Sequence, residues 1–237
     1  MSPVAVVPAD ALAMERWNEV ADRWAAAVRG GLDRERAVAG EAMVKLVRQV
    51  PSGPILDAGC GEGWLARTLA EHGHRVTAFD GAAAMVGLAK AANPARAGDY
   101  RRLAFAEASS GPRRMGSAFG TVVFNFSLLQ ERITPVLAAA AKVLFPYGRI
   151  LIQAAHPSAA GDAYRDGWRT LAEAAPGVPF PHTVPWYFRT FTTWVRELRM
   201  AGLILVETCE PLDPDTGRPV SLILSTTIPE RRRPGAM

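Results

Sequence analysis

Thiols, imidazoles and unbroken apolar runs are all scarce in this chain. Of 237 residues, two are cysteines, Cys60 and Cys209, and four are histidines. Two thiols build no disulfide framework, and with four histidines they supply no zinc-ligand spacing. No stretch reaches eighteen apolar residues, because the Ala-rich run 136–145 is broken by Lys142 and stopped by Pro146. A membrane-spanning helix is therefore not expected. The opening MSPVAVVPADALAMERW has no basic n-region and meets Asp10 early, so the sequence predicts no signal peptide and a cytoplasmic location. Charge of one sign is scarce too. The net charge is +4, part of it in the tail Arg231, Arg232, Arg233. The pairs Arg101–Arg102 and Arg113–Arg114 make no basic face, so nucleic acid is not the expected partner. No Asp-rich triad is present, so no metal is expected and a magnesium-dependent catechol mechanism is disfavoured.

What remains is ordinary globular composition, 49% hydrophobic and 21% charged, at a length that buries one sizeable α/β core. Residues 10–29 place Leu12, Trp17, Val20, Trp24 and Val28 at helical intervals, ending at Gly30–Gly31. A second helical pattern fills 33–49. Strands are expected at 54–58, 75–79, 100–105, 119–126 and 148–155, with helices at 62–72, 82–92 and 133–144. Such alternation implies a parallel sheet covered on both faces. Residues 157–189 carry five prolines and no clear periodicity, the pattern of an insertion or lid. A helix at 190–201 precedes two strands, 203–211 and 219–228, joined through the turn residues DPDTG. The organisation expected is an N-terminal cap (1–50), a binding core (51–156), the insertion (157–189), completion of the sheet (190–228) and a tail (229–237).

The informative stretch is ILDAGCGEGWLA, 55–66. Its glycines, 59, 61 and 63, do not meet the dehydrogenase spacing G-x-G-x-x-G. A glycine turn entering a helix offers N–H groups to a phosphate, but Asp57 places a carboxylate there and would repel one. That carboxylate favours a ligand carrying positive charge, such as the amino-acid end of S-adenosylmethionine, and disfavours a dinucleotide. A second acid, Asp80, ends the strand RVTAFD 23 residues later, where doubly wound folds bind ribose hydroxyls. Asp80 also suits an N-cap of the next helix, and Met85 suits either an adenine face or the core.

ILDAGCGEGW, VTAFD, FGTVVFNFSLL and LFPYGRILIQAAHP together resemble the successive motifs of class I S-adenosylmethionine-dependent methyltransferases, over residues 53–155. DAYRDGW, WYFRTFTTWVRELRMAGL and EPLDPDTGRPVSLIL resemble a small-molecule branch loosely grouped with the ubiquinone-pathway enzymes. The resemblance implies a Rossmann-like seven-stranded sheet, mostly parallel with an antiparallel last strand and helices on both faces. It implies S-adenosylmethionine as cofactor and S-adenosylhomocysteine as product. Asp57, Gly59, Cys60 and Gly61 would hold the methionine part, Asp80 the ribose, and Gly81 and Met85 the adenine, while Asn125 and Phe126 would line the cofactor from the substrate side. The usual Asp–Ala pair near the adenine amine is absent from AFAEA (104–108), leaving Ala106 or Glu107 for that place.

The expected activity is methyl transfer to a small aromatic or heteroaromatic metabolite, oxygen before nitrogen, by a monomer or homodimer. His156, at the carboxyl edge of the fifth strand, is a candidate base or the start of a rigid turn before Pro157. His182 is a second candidate. Trp17, Trp24, Tyr164, Trp168, Trp186, Tyr187 and Phe188 could enclose a flat acceptor. Arg189 could meet a substrate carboxylate or Glu197. Competing readings are an RNA or protein methyltransferase, disfavoured because NFSL stands where amino-group enzymes carry Asn-Pro-Pro-Tyr, and a non-catalytic module retaining the fold.

Overall fold

A computed structural model describes residues 9–30, 34–50, 52–93, 98–158, 163–170 and 184–229. Two helices come first, α1 (Ala9–Arg29) and α2 (Arg34–Val47). An alternating region follows: β1 (Ile55–Ala58), α3 (Trp64–Glu71), β2 (Val76–Asp80), α4 (Ala83–Ala91), β3 (Gly98–Arg102), α5 (Phe105–Ser110), β4 (Phe119–Asn125), α6 (Thr134–Ala141) and β5 (Leu144–Ala154). Then come a separate hairpin, β6 (Gly167–Thr170) with β7 (Pro185–Phe188), the helix α7 (Phe191–Met200), and strands β8 (Ile204–Cys209) and β9 (Leu222–Thr227).

The main sheet has seven strands in the order β3-β2-β1-β4-β5-β9-β8. β1 through β5 pair in parallel, and β9 runs antiparallel to both β5 and β8. Every residue of β1 is buried, as a strand covered on both faces requires. One face is sealed by Ala108 of α5, Leu137 and Ala140 of α6, and Trp194 and Leu198 of α7. Met43 and Val47 of α2, Leu65 and Leu69 of α3, and Val86 and Ala89 of α4 seal the other. α1 lies outside both layers and docks on α4, with Ala21 and Trp24 against Ala82 and Met85.

Three expectations need correction. β3 spans 98–102 and not 100–105, because only Tyr100 of GDYRR faces the core and the apolar residues that follow open α5 instead. β5 begins at Leu144, four residues early, across a register shift opposite Phe119 and Thr121. The insertion contains the β6–β7 pair, which periodicity missed because its aromatic residues occur on both faces of a two-stranded ribbon. The DPDTG turn closes as expected: Asp213 Oδ1 accepts from the N–H groups of Asp215 (3.0 Å) and Thr216 (2.8 Å).

Candidate functional site

Strand order reverses between β1 and β4, which opens a crevice at their carboxyl ends. Asp57, Asp80 and Asn125 all reach that edge, one from each of three neighbouring strands. The chain leaves β1 through a turn whose backbone demands glycine: Gly59, Gly61 and Gly63 have φ of 77°, 55° and 84°. The turn is pinned from β2. Asp80 Oδ2 accepts from the Gly61 N–H (2.9 Å), and its Oδ1 accepts from the Ala82 N–H (2.8 Å) at the start of α4. Asp80 is not the N-cap of α4, a place that Ala82 takes without a side-chain cap; its carboxylate pins the loop that leads into the helix. Burial raises its carboxyl above the ordinary range, opposed by the N–H groups of Ala82, Gly61 and Gly81.

A cavity of about 650 Å³ opens over this turn. Asp57, Gly59, Cys60, Gly61, Asp80, Gly81, Met85, Asn125 and Phe126 all line it. Asp57 is the outstanding group. It is 1% exposed, and neither carboxylate oxygen has a hydrogen-bond partner among the described residues. Burial, and then the charge of Asp80, push it up to about 7, opposed only by the Ala66 N–H, which approaches without closing a well-formed hydrogen bond. Glu62, equally buried, is by contrast satisfied by Arg67 at 2.8 Å and Arg29 at 3.4 Å. A buried carboxylate without a partner is costly unless a cation completes it, and here the missing cation has a cavity to arrive through. An ammonium group fits; a diphosphate does not. Above Gly61 nothing lies within 4 Å of where a Cβ would sit, so the backbone there is open to a ligand. Burial, and then Asp57 and Asp80, hold the Cys60 thiol well above its ordinary range, so it is no nucleophile.

Met85 is 2% exposed and packs beneath α1, so it serves the core and borders the cavity at once. Glu107 does not belong to the site. Its carboxylate accepts from the Ala104 N–H (2.9 Å) at the start of α5 and pairs with Arg102 (2.8 Å) and Arg114 (3.6 Å). Ala106 takes the place in the cavity wall that the sequence left open between them.

A second cavity, about 640 Å³, adjoins the first. Trp17, Trp24, Arg36, Phe126 and Leu129 line both, so one wall separates two chambers. Phe126 sits in that wall with φ 51°, a strained setting for an aromatic residue costing about 1–3 kcal/mol. Its N–H donates to the Gln153 carbonyl (2.8 Å), and the Arg36 guanidinium lies 4.8 Å from the ring centres of Phe126 and Trp24. Beside it the Asn125 amide donates to Gln153 Oε1 (2.5 Å), while Gln153 Nε2 donates to the Ala39 carbonyl (2.8 Å) and Ser221 Oγ (2.9 Å). β4, β5, α2 and β9 are thereby joined behind the wall.

Trp168, Trp186, Tyr187, Phe188, His156 and Arg189 line the second chamber. Tyr164 does not. It is exposed, and its hydroxyl accepts from the Phe191 N–H (3.0 Å). His182 lies outside the described residues. His156 Nε2 is 2.8 Å from Glu210 Oε1, and Nδ1 is 2.6 Å from Ser158 Oγ and accepts from the Ser158 N–H (3.1 Å). Nε2 therefore carries the proton toward Glu210. Arg189 is 2% exposed and donates to the carbonyls of Leu128, Gln130, Glu131 and Tyr187, tying β7 to the loop after β4. It makes no ion pair with Glu197, whose carboxylate instead accepts from Thr134 Oγ1. Burial lowers the Arg189 guanidinium to about 10.

Sequence reasoning missed Arg36, Asp166, Arg169 and Glu210. Asp166 and Glu210 stand in the stretches DAYRDGW and EPLDPDTGRPVSLIL, yet each of the four gains its place only when distant elements meet. Asp166 accepts from the Thr190 N–H (2.7 Å) and Thr193 Oγ1 (2.5 Å), capping α7 from the hairpin. Burial raises its carboxyl, but the bonds from Thr193 and Thr190 outweigh that and lower it overall. Its stabilisation is thus present above the unfolded carboxyl range and is lost as pH falls through the folded one. Asp166→Ala is expected to cost about 1–2 kcal/mol. In a melting experiment at pH 7 this lowers Tm by several degrees, and the gap to wild type closes at acid pH.

Among the described residues no helix is long and apolar enough to cross a membrane, and no three His, Cys, Asp or Glu side chains converge to hold a metal. Residues 55–148 match the family model described as a methyltransferase domain. No curated protein matches the chain. Solved structures share its fold. The magnesium protoporphyrin IX methyltransferase of Synechocystis, with bound S-adenosylhomocysteine, is 17% identical at TM-score 0.66, over 94% of this chain and all of that one. An S-adenosylmethionine-dependent methyltransferase from Mesorhizobium loti is 22% identical at TM-score 0.58, over 79% and 97%. A glycopeptide N-methyltransferase complexed with S-adenosylmethionine is 20% identical at TM-score 0.63, over 81% and 87%.

Proposed function

We propose that this chain, which carries a class I S-adenosylmethionine-dependent methyltransferase domain, methylates a hydroxyl of a small aromatic or heteroaromatic metabolite. Its cofactor is S-adenosylmethionine, which supplies an electrophilic methyl group on a sulfonium. The orphaned Asp57 fits the ammonium of the methionine part, with Gly59, Cys60 and Gly61 beside it. Asp80 retains lone pairs for ribose hydroxyls, and Gly81, Met85 and Ala106 border the adenine.

One observation carries the proposal: two chambers share a wall, one built around an unpartnered buried acid and the other lined by indole and phenol rings. For an in-line displacement the protein chiefly has to align donor and acceptor and exclude water. Trp17 and Trp24 border both chambers and so set the acceptor ring against the donor. Phe126, held in a strained backbone by Gln153, fixes the opening between them. His156 is the base: its Nδ1 exchanges the Ser158 N–H for the acceptor hydroxyl and takes that proton, and Glu210 stabilises the imidazolium through Nε2. That base favours oxygen over an amine, and Asn125 is engaged with Gln153 rather than free to clamp an exocyclic amino group.

The test uses S-adenosylmethionine labelled in its methyl group, incubated with the protein and with a low-molecular-mass metabolite extract, bulk RNA or bulk protein in parallel. Label in the extract alone is expected; label in RNA or protein alone overturns the small-molecule reading. Once an acceptor is in hand, His156→Ala should lower kcat about 100-fold. S-adenosylhomocysteine affinity should not change, because His156 is absent from the cofactor chamber.

A further inference from the structure

The second chamber has an excess of positive charge that the aromatic walls do not explain. Among the described residues four arginines line it, Arg36, Arg165, Arg169 and Arg189, against two carboxylates, Glu35 and Asp166. Asp166 is already committed to Thr190 and Thr193. Elsewhere in the molecule guanidinium groups meet carboxylates: Arg16 with Glu19, Arg67 with Glu62, Arg101 with Asp99 and Arg102 with Glu107. Among the described residues, Arg165, Arg169 and Arg189 make no direct ion pair, although the charges of Glu197, Asp166 and Glu131 reach Arg189. Arg169 donates to the Ala163 carbonyl (2.7 Å) and lies 4.1 Å from the ring centre of Phe188.

Arg189 adds an independent sign. Its Nη groups are spent on four backbone carbonyls, yet Nε has no partner although the residue is 2% exposed. Buried donors are nearly always satisfied, and a guanidinium in such surroundings is stabilised by an incoming acceptor. Its ring neighbours, Tyr187 and Trp194 at 5.1 Å each, hold the charge but accept no strong hydrogen bond.

We infer that the acceptor is an anion, an aromatic ring bearing a carboxylate, with the ring among the indoles and the carboxylate drawn to Arg165, Arg169 and Arg189. This rests on the reading of the second chamber as the acceptor site. Arg36, in the wall common to both chambers, adds to the same field close to the donor. A neutral ring of equal size would forfeit the charge-assisted bonds and leave the arginines as they stand.

The experiment uses the full chain loaded with S-adenosylhomocysteine and matched pairs of probes: benzoate with benzamide, 2-naphthoate with 2-naphthamide, and indole-3-carboxylate with its amide. Binding is read by saturation-transfer NMR and titration at low salt. At least one acid should bind about tenfold or more tighter than its amide, and the preference should shrink as salt rises. Arg165→Gln/Arg169→Gln should reduce it severalfold, leaving the share of Arg189 and Arg36, with S-adenosylhomocysteine affinity unchanged because neither residue borders that chamber. If no acid outbinds its amide, including the case where no probe binds, the anion inference is overturned and the cofactor site stands. If S-adenosylhomocysteine itself fails to bind, the methyltransferase reading falls first and takes the inference with it. A preference undiminished by the double substitution also overturns it. A double variant that melts early is replaced by Arg169→Lys, which keeps the charge and should retain part of the preference.

Discussion

Asp57→Asn should weaken S-adenosylhomocysteine binding by at least about 100-fold, roughly 3 kcal/mol, and at the same time make the ligand-free protein more stable above pH 7. The two signs come from one cause. In the free protein the Asp57 carboxylate is buried without a hydrogen-bond partner, so its ionised form opposes folding; with the ligand's ammonium in place the same charge becomes the anchor. Its folded value is raised from 3.8 to about 7. Between those limits the unfolded chain has lost the proton while the folded one keeps it, so stability falls as pH climbs from about 4 to about 7 and levels off above. An ion-paired carboxylate behaves in the opposite way. Asparagine removes this slope. Binding should follow the reverse course in wild type, tightening up to tenfold per pH unit below about 7 as Asp57 ionises. Calorimetry at pH 5.5, 6.5 and 7.5, with melting curves on both proteins, reads all of it. An Asp57→Asn protein that binds normally would show that the carboxylate is not the ammonium's partner.

The second large effect belongs to Gly59→Ala. A Cβ there would lie 2.4 Å from Ser127 Cβ, 3.0 Å from Ser127 Oγ and 3.1 Å from Phe105 Cζ, with φ at 77°. Ser127 cannot simply retreat, since its hydroxyl donates to the Ala58 carbonyl at 2.7 Å. Overlap and left-handed backbone together cost about 3 kcal/mol or more, which for a chain of this size lowers Tm by about 6–12 °C. S-adenosylhomocysteine binding should go with it. Gly61→Ala separates the two terms: φ is 55° but nothing stands within 4 Å, so about 1 kcal/mol of stability is lost. Adding Ser127→Gly to Gly59→Ala should recover part of the Tm by removing the clash. Unchanged melting in Gly59→Ala would mean that the turn has another way to close.

What could be read in the sequence was what sits close together along it. The strand–turn–helix of 55–71 carries its instructions locally, in apolar β1, in glycines that permit positive φ, and in an acid at a fixed place. Asp80 was legible for the same reason, as the last residue of a short apolar strand. Glu107 misled because AFAEA says nothing of Arg102 and Arg114, which pull its carboxylate outward. Arg189 was expected to meet a carboxylate, and its Nη groups found carbonyls from a loop some sixty residues upstream. His156 was visible as a strand-end histidine, whereas Glu210 became its partner only when β9 returned beside β5. The β6–β7 ribbon has no core beneath it to impose a period, and so left no pattern to find.

The docking of α1 on α4, outside both layers of the sheet, has a thermodynamic corollary. Trp17 and Trp24 from one helix line both chambers, so donor and acceptor share one surface. Whatever shift in that helix the first ligand favours, the second must feel, and reciprocity makes the effect of each on the other's affinity equal. Any coupling between the two ligands would therefore pass through α1.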